Sequence, residues 1–187
     1  MSPLRTFDGI TPSIHPSCFI DERALIIGDA ALGEHSSVWP MAVIRADVNS
    51  VRIGRCSNIQ DFSMLHETHR RPEDPQGAPL VIGNYVTVGH HVNLHGCTIH
   101  DEVLLGIGTI VLDRVVVESQ VMIGAGSLVP PGKRLASGWL YVGSPVKAVR
   151  RLTPDELNFL RYSAEHYQRL AAKHKNSTAS APKNRYD

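Results

Sequence analysis

A spacing of six governs this chain. Aliphatic residues fall at Ile82, Val88 and Leu94, then after one five-residue step at Ile99, Leu105, Val111, Val117, Ile123, Val129 and Leu135. Ile53, Ile59 and Leu65 keep the same step, and an earlier run joins Ile27, Leu32, Val38 and Ile44. A helix would repeat every 3.6 residues and a half-buried strand every two. A period of six sustained this long is instead the repeat of a parallel β-helix, in which each repeat makes one flat face and three make a triangular coil. The aliphatic residue points inward at every face, and glycines such as Gly28, Gly54, Gly83, Gly89, Gly106 and Gly124 ease the backbone near the corners. The expected fold class is therefore mainly β, one solenoid domain over residues 1–150.

A solenoid must protect its ends. Thr153-Pro154-Asp155-Glu156 reads as a capping box with proline at the first helical position. Leu157, Leu160, Ala164, Tyr167 and Leu170/Ala171 follow at helical spacing, which predicts an amphipathic helix over about 154–174, within a segment 151–175 that packs along the coils. The polar stretch 176–187 has no pattern and is expected to be disordered.

The 19 basic and 18 acidic residues leave a formal charge of +1, so no unpaired basic field calls for nucleic acid or an anionic membrane. The first residues lack the apolar segment of a secretory signal, and no stretch reaches the ~18–20 apolar residues of a bilayer span. A cytoplasmic protein is expected. Cys18, Cys56 and Cys97 are odd in number and far apart, which suggests neither a disulfide framework nor a thiolate zinc site.

Two interruptions of the period stand out. Ile44 to Ile53 is nine residues, and Leu65 to Ile82 is seventeen, an insertion holding "THRRPEDPQGAP". Solenoids place function on such excursions. If insertions loop out without skipping a face, Ile44, Leu65 and Leu94 lie on one face of successive coils. The residues after them, Arg45, His66 and His95, then form a ladder, with the two histidines one strand spacing apart. The same count puts Ile59 and Val88 on a neighbouring face, with Asp61 and His90 two positions beyond them and Gln60 just before Asp61. His90 is thus round a corner from His95. A threefold ring brings the ladder of one subunit against the His90 edge of the next, and Arg45 against Asp61 of the neighbour.

Three neutral imidazoles with an open position suit a hydrating or hydrolytic zinc site, where bound water has a pKa of ~7. Iron or cobalt would fit the same ligands. His91, next to His90, is expected to face away, since adjacent strand residues alternate sides.

The segments "RAD" (45–47), "QDFSMLH" (60–66) and "VGHHVNLHGC" (88–97) on hexapeptide repeats resemble the γ-class carbonic anhydrase family, over roughly residues 10 to 170. The resemblance implies a left-handed β-helical homotrimer with zinc on His66 and His95 of one subunit and His90 of the next. It further implies that Arg45 and Asp47 organise the interface with Asp61, and that Gln60 lies beside the metal-bound water. The chain departs from the family archetype at three places. Val48 and His69 stand where the archetype has glutamates, and Ala164 stands in place of an asparagine if Tyr162 is the active-site tyrosine.

The expected function is reversible hydration of carbon dioxide, with Gln60 positioning the nucleophile and His69 exporting the proton, helped by Glu67, Glu73 and Asp74 on a mobile insertion. Tyr162 is expected to pack. Thioester hydrolysis at the same metal is an alternative that needs an access groove beside loop 67–79. A non-catalytic trimeric module is another, favoured by Val48 and Ala164. Acyl transfer, which needs a histidine base without metal, makes little use of three convergent imidazoles.

Overall fold

The structure, a computed structural model, describes residues 2–177; Met1 and 178–187, most of the tail expected to be disordered, lie outside. Short parallel strands wind into a β-solenoid of about 8 turns. On the first face Ile44, Leu65, Leu94, Val111 and Val129 stack in register. On the second, Ile53, Ile82, Ile99, Val117 and Leu135 do the same. Val38, Ile59, Val88, Leu105, Ile123 and Tyr141 form the third stack. All of these side chains are buried and meet in one core, so the six-residue period is the inward stack of each face. Burying a branched aliphatic side chain contributes about 1.5–3 kcal/mol, and repetition supplies the cohesion that two-residue strands lack.

Not every interruption of the period is a loop. The nine-residue step from Ile44 to Ile53, expected to loop out, lies within a single strand, Val43–Ile53, that runs across the corner between the first two faces. It pairs with Leu25–Leu32 on both sides of an irregularity between Gly28 and Ala30. The extra residues bulge the strand and re-aim Asp47 at the corner. The five-residue step from Leu94 to Ile99 belongs to the same corner, where Gly96 adopts φ 51°. A Cβ there would meet the side chain of Ala78 at 2.8 Å and the Asp113 carboxylate at 2.4 Å.

The last coil ends in an antiparallel pair, Trp139–Gly143 with Val146–Arg151. The final strand, rich in lysine and arginine, is a charged edge that discourages further pairing. The helix Pro154–Ser177 starts as its capping box predicts: Glu156 N–H donates to Thr153 Oγ1 at 3.2 Å and Thr153 N–H to Glu156 Oε2 at 2.9 Å. It lies along the third face, where Ala171, Tyr167 and Leu170 pack with Phe19 and Trp39. Farther up the same face, Ser163 shares a 3.1 Å hydroxyl contact with Thr87. Among the described residues no helix is long and apolar enough to cross a membrane.

Candidate metal centre

The register carries Arg45, His66 and His95 onto one edge of the first face, since each follows a residue of the same stack. His66 and His95 are direct strand partners, and Nδ1 of His66 lies 3.1 Å from Nε2 of His95. Two nitrogens about 2.0–2.1 Å from a tetrahedral zinc would stand ~3.3 Å apart. The pair is spaced to share one ion.

The other nitrogen of each ring meets a carboxylate. His66 Nε2 is 3.3 Å from Asp47 Oδ1, and His95 Nδ1 is 2.9 Å from Asp113 Oδ1. Both aspartates are themselves fixed: Arg45 Nη1 donates to Asp47 at 2.8 Å, and Thr68 Oγ1 to Asp113 at 2.5 Å. Burial works against charge on these two carboxyls, but the hydrogen bonds outweigh it and hold both below the ordinary aspartate range. With the ring protons directed at these carboxylates, an assignment made from the hydrogen-bond partners, two lone pairs confront each other across 3.1 Å. A cation between them, or a proton on His66 Nδ1, relieves that repulsion. Histidines oriented by carboxylates on their far nitrogens are the usual support of a metal site.

His90 sits at the corner between the third and first faces. There Phe62 N–H donates to Pro40 O, His91 N–H to Asp61 O and Gly108 N–H to His90 O, so Pro40, Asp61 and His90 stack one above another. Asp61 Oδ2 is accordingly 2.9 Å from His90 Nδ1, and Nε2 has no hydrogen bond among the described residues. His91 adopts φ 56° in the turn and stacks on Phe62, with ring centroids 5.0 Å apart and planes 3° apart, so the strand alternation expected to turn it from His90 does not operate here. The three histidines do not converge within one chain: among the described residues the one cluster of metal-binding donors joins Asp47, His66 and Glu67.

The remaining candidates separate. Arg45 pairs with Asp47, and Asp61 with His90, inside the protomer. Gln60 is buried beside that corner, its Nε2 donating to Asn58 Oδ1 at 2.9 Å. His69 is exposed on the insertion. Ala164 is buried on the inward side of the helix, whereas Tyr162, expected to pack, is 54% exposed, because the helix rotates it away from the third face.

The grouping of Glu67 with Glu73 and Asp74 on a mobile insertion needs correction. Glu67 is 1% exposed, and its Oε1 accepts from the backbone N–H groups of Val48 and Asn49, each at 3.1 Å. Asp74 pairs with Arg114, away from the histidines. The insertion is anchored: Thr68 bridges Ala78, Arg71 bridges Asp74, and Asn49 Nδ2 donates to Thr68 O at 3.0 Å and Gln76 O at 2.9 Å. Asp113 was missing from the sequence reading, and it is not at the repeat position of His95: three repeats past Leu94 is Val111, so the count that stacked the histidines reaches Leu112, and Asp113 lies one residue beyond.

Fold and site together define a hexapeptide-repeat β-helix with an edge of carboxylate-held imidazoles. Protein YrdA of Escherichia coli is 54% identical over 164 residues, 88% of this chain and 89% of that one. Gamma carbonic anhydrase 1, mitochondrial, of Arabidopsis thaliana is 40% identical over 87% of this chain, which spans 59% of the plant protein's length. Among solved structures, a hexapeptide transferase family protein from Anaplasma phagocytophilum superimposes with a TM-score of 0.85 at 38% identity, covering 91% of this chain and 96% of that one. A putative acetyltransferase from Bacillus cereus gives 0.86 at 36%, covering 92% and 96%. No protein-family model matches the chain. The chain belongs to the γ-carbonic-anhydrase-like hexapeptide-repeat family.

Proposed function

We propose that this protein is a zinc-dependent carbonic-anhydrase-like lyase, interconverting carbon dioxide and bicarbonate at the subunit boundaries of a homotrimer. The observation that carries the reading is the 3.1 Å confrontation of His66 Nδ1 and His95 Nε2, with both far nitrogens on carboxylates. His90, oriented by Asp61 with Nε2 free of any hydrogen bond among the described residues, is the third ligand, supplied by the neighbouring subunit. Met41, Phe62 and Ile107 are exposed apolar residues of the His90 corner. A contact that repeats head to tail closes into a ring, and these residues belong to the surface it would cover.

Zinc on these ligands makes a hydroxide nucleophile available near neutral pH; iron or cobalt suits the same donors. The chain does the rest. Asp47, Asp61 and Asp113 each contact one nitrogen of a ligand imidazole and turn the other towards the ion. Gln60 positions the nucleophile from the His90 side, and the exposed His69 imidazole passes the proton to buffer. Three buried, unpaired cysteines fit a reducing cytoplasm.

A second reading rests on one observation. A groove of about 420 Å³ lies beside the insertion, lined by Thr68, Arg71, Asp113 and Arg114 among others. It exceeds what carbon dioxide needs and suits an anionic thioester hydrolysed by the same metal.

The test is untagged protein, metal quantified per chain, and stopped-flow hydration of carbon dioxide before and after chelation and reloading. Turnover that follows the metal, and is lost in His66→Ala and His90→Ala, is expected. Bound metal without hydration would turn attention to acyl-thioester hydrolysis, or to a non-catalytic trimer that dissociates when the metal is removed.

A further inference from the structure

Glu67 is the unexplained group of this molecule. It is a carboxylate 1% exposed, with Oε1 satisfied by two backbone amides and Oε2 without any partner among the described residues. An unpaired buried carboxylate oxygen carries a penalty of several kcal/mol unless a proton or cation joins it. One ligand atom each of Asp47, His66 and Glu67 fall within 4.8 Å of one another. Asp47 Oδ1 and His66 Nε2 are 3.3 Å apart, a separation that ligands of one ion can hold.

We propose that Asp47, His66 and Glu67 form a second divalent-cation site, distinct from the three-histidine set and contained wholly within one protomer. The two sets share His66 and are alternatives. A neutral imidazole has one lone pair, so Nε2 binds in the carboxylate set and Nδ1 in the histidine set. The switch moves one proton from one ring nitrogen to the other and leaves the ring neutral. When Nε2 binds the ion, Nδ1–H donates to His95 Nε2, and the 3.1 Å contact becomes an ordinary hydrogen bond. Because the histidine set needs a neighbour's His90, the carboxylate set is the one a lone protomer can fill. It holds the cation until the interface forms; this hand-over rests on the trimeric reading above. Two carboxylates and one imidazole favour a harder ion than three imidazoles do.

The experiment is cobalt(II) titration of full-length, metal-free protein, with stoichiometry from calorimetry and coordination from X-ray absorption at the cobalt edge. The His90→Ala protein is expected to bind one ion per chain with mixed oxygen and nitrogen ligands. Glu67→Gln and Asp47→Asn in that background should each weaken it at least ~10-fold, and His95→Ala, which removes only the hydrogen bond to His66 Nδ1, should leave the mixed oxygen and nitrogen coordination in place. Metal-free Glu67→Gln is melted alongside its parent; if it does not fold, Asp47→Asn decides. The proposal is overturned if His90→Ala protein binds no cobalt, or binds it through His95 with no effect of Glu67→Gln. It survives, and the three-histidine reading fails, if wild-type protein shows the mixed coordination and is indifferent to His90→Ala.

Discussion

The corner that carries His90 and the corner that carries His66 and His95 belong to the same solenoid but are held differently. At the His90 corner every coil turns in the same number of residues, with Met41, Phe62 and His91 at φ 62°, 59° and 56°. Backbone hydrogen bonds between coils stack one turn on the next. At the other corner a bulged strand and an insertion break the count, and side chains replace the missing regularity: Glu67 caps the amides of Val48 and Asn49, and Asn49 ties down the insertion. A regular corner aims one imidazole by repetition and a single carboxylate, Asp61. An irregular corner can gather five functional groups (Asp47, His66, Glu67, His95 and Asp113), but only with its own polar network.

The largest expected effect removes what both corners share. Leu65 is fully buried on the first face, and Leu65→Ala should lower stability by about 2–5 kcal/mol, read from the urea midpoint, with metal retention lost in step. A glycine pair then separates the corners. At Gly77 (φ +59°) a Cβ would meet the carbonyl oxygens of Thr68 and His69 at 2.4 and 2.7 Å, whereas at Gly108 (φ +70°) the nearest atom is 4.0 Å away. Both alanine variants incur about 1–2 kcal/mol of left-handed strain, but only Gly77→Ala adds overpacking of about 1–3 kcal/mol. Equal losses in the two would show that the irregular corner yields as easily as the regular one.

Asp113→Asn tests the polar network without touching a ligand. It should weaken zinc binding about 10–100-fold in a chelator competition, with the melting temperature little changed. Unaltered affinity would remove Asp113 from the site. The smallest effect is a control away from both corners. Arg150 and the Thr153 backbone hold the Glu156 carboxyl down to about 2, from an ordinary 4.5. A lowered pKa stabilises the fold fully above the unfolded value and is lost as pH falls through the folded one. The helix cap should therefore be intact above about pH 4.5 and give way towards pH 2. Circular dichroism of Glu156→Gln should lack that step.

Much of this was legible in the chain because a six-residue period is a ruler. It put Ile44, Leu65 and Leu94 in one stack, predicted that His66 and His95 are strand partners, and set Asp61 under His90. The interruptions defeated the ruler. That nine residues from Ile44 to Ile53 make one bulged strand rather than a loop depends on pairing with Leu25–Leu32, which no local pattern encodes. The burial of Glu67 was equally hidden, since a glutamate beside a polar insertion reads as solvated charge.

By itself, then, the sequence determined the β-helix, its core, the capped helix and the edges on which the histidines lie, because each follows from periodicity or from contacts a few residues apart. Only the tertiary structure decided that Asp47 holds His66 and Asp113 holds His95, that the insertion is tied to Asn49, and that Glu67 ends as a buried carboxylate with one oxygen unpartnered among the described residues. Those outcomes depend on distances between coils at a corner where the repeat fails, and such distances are set by packing in three dimensions.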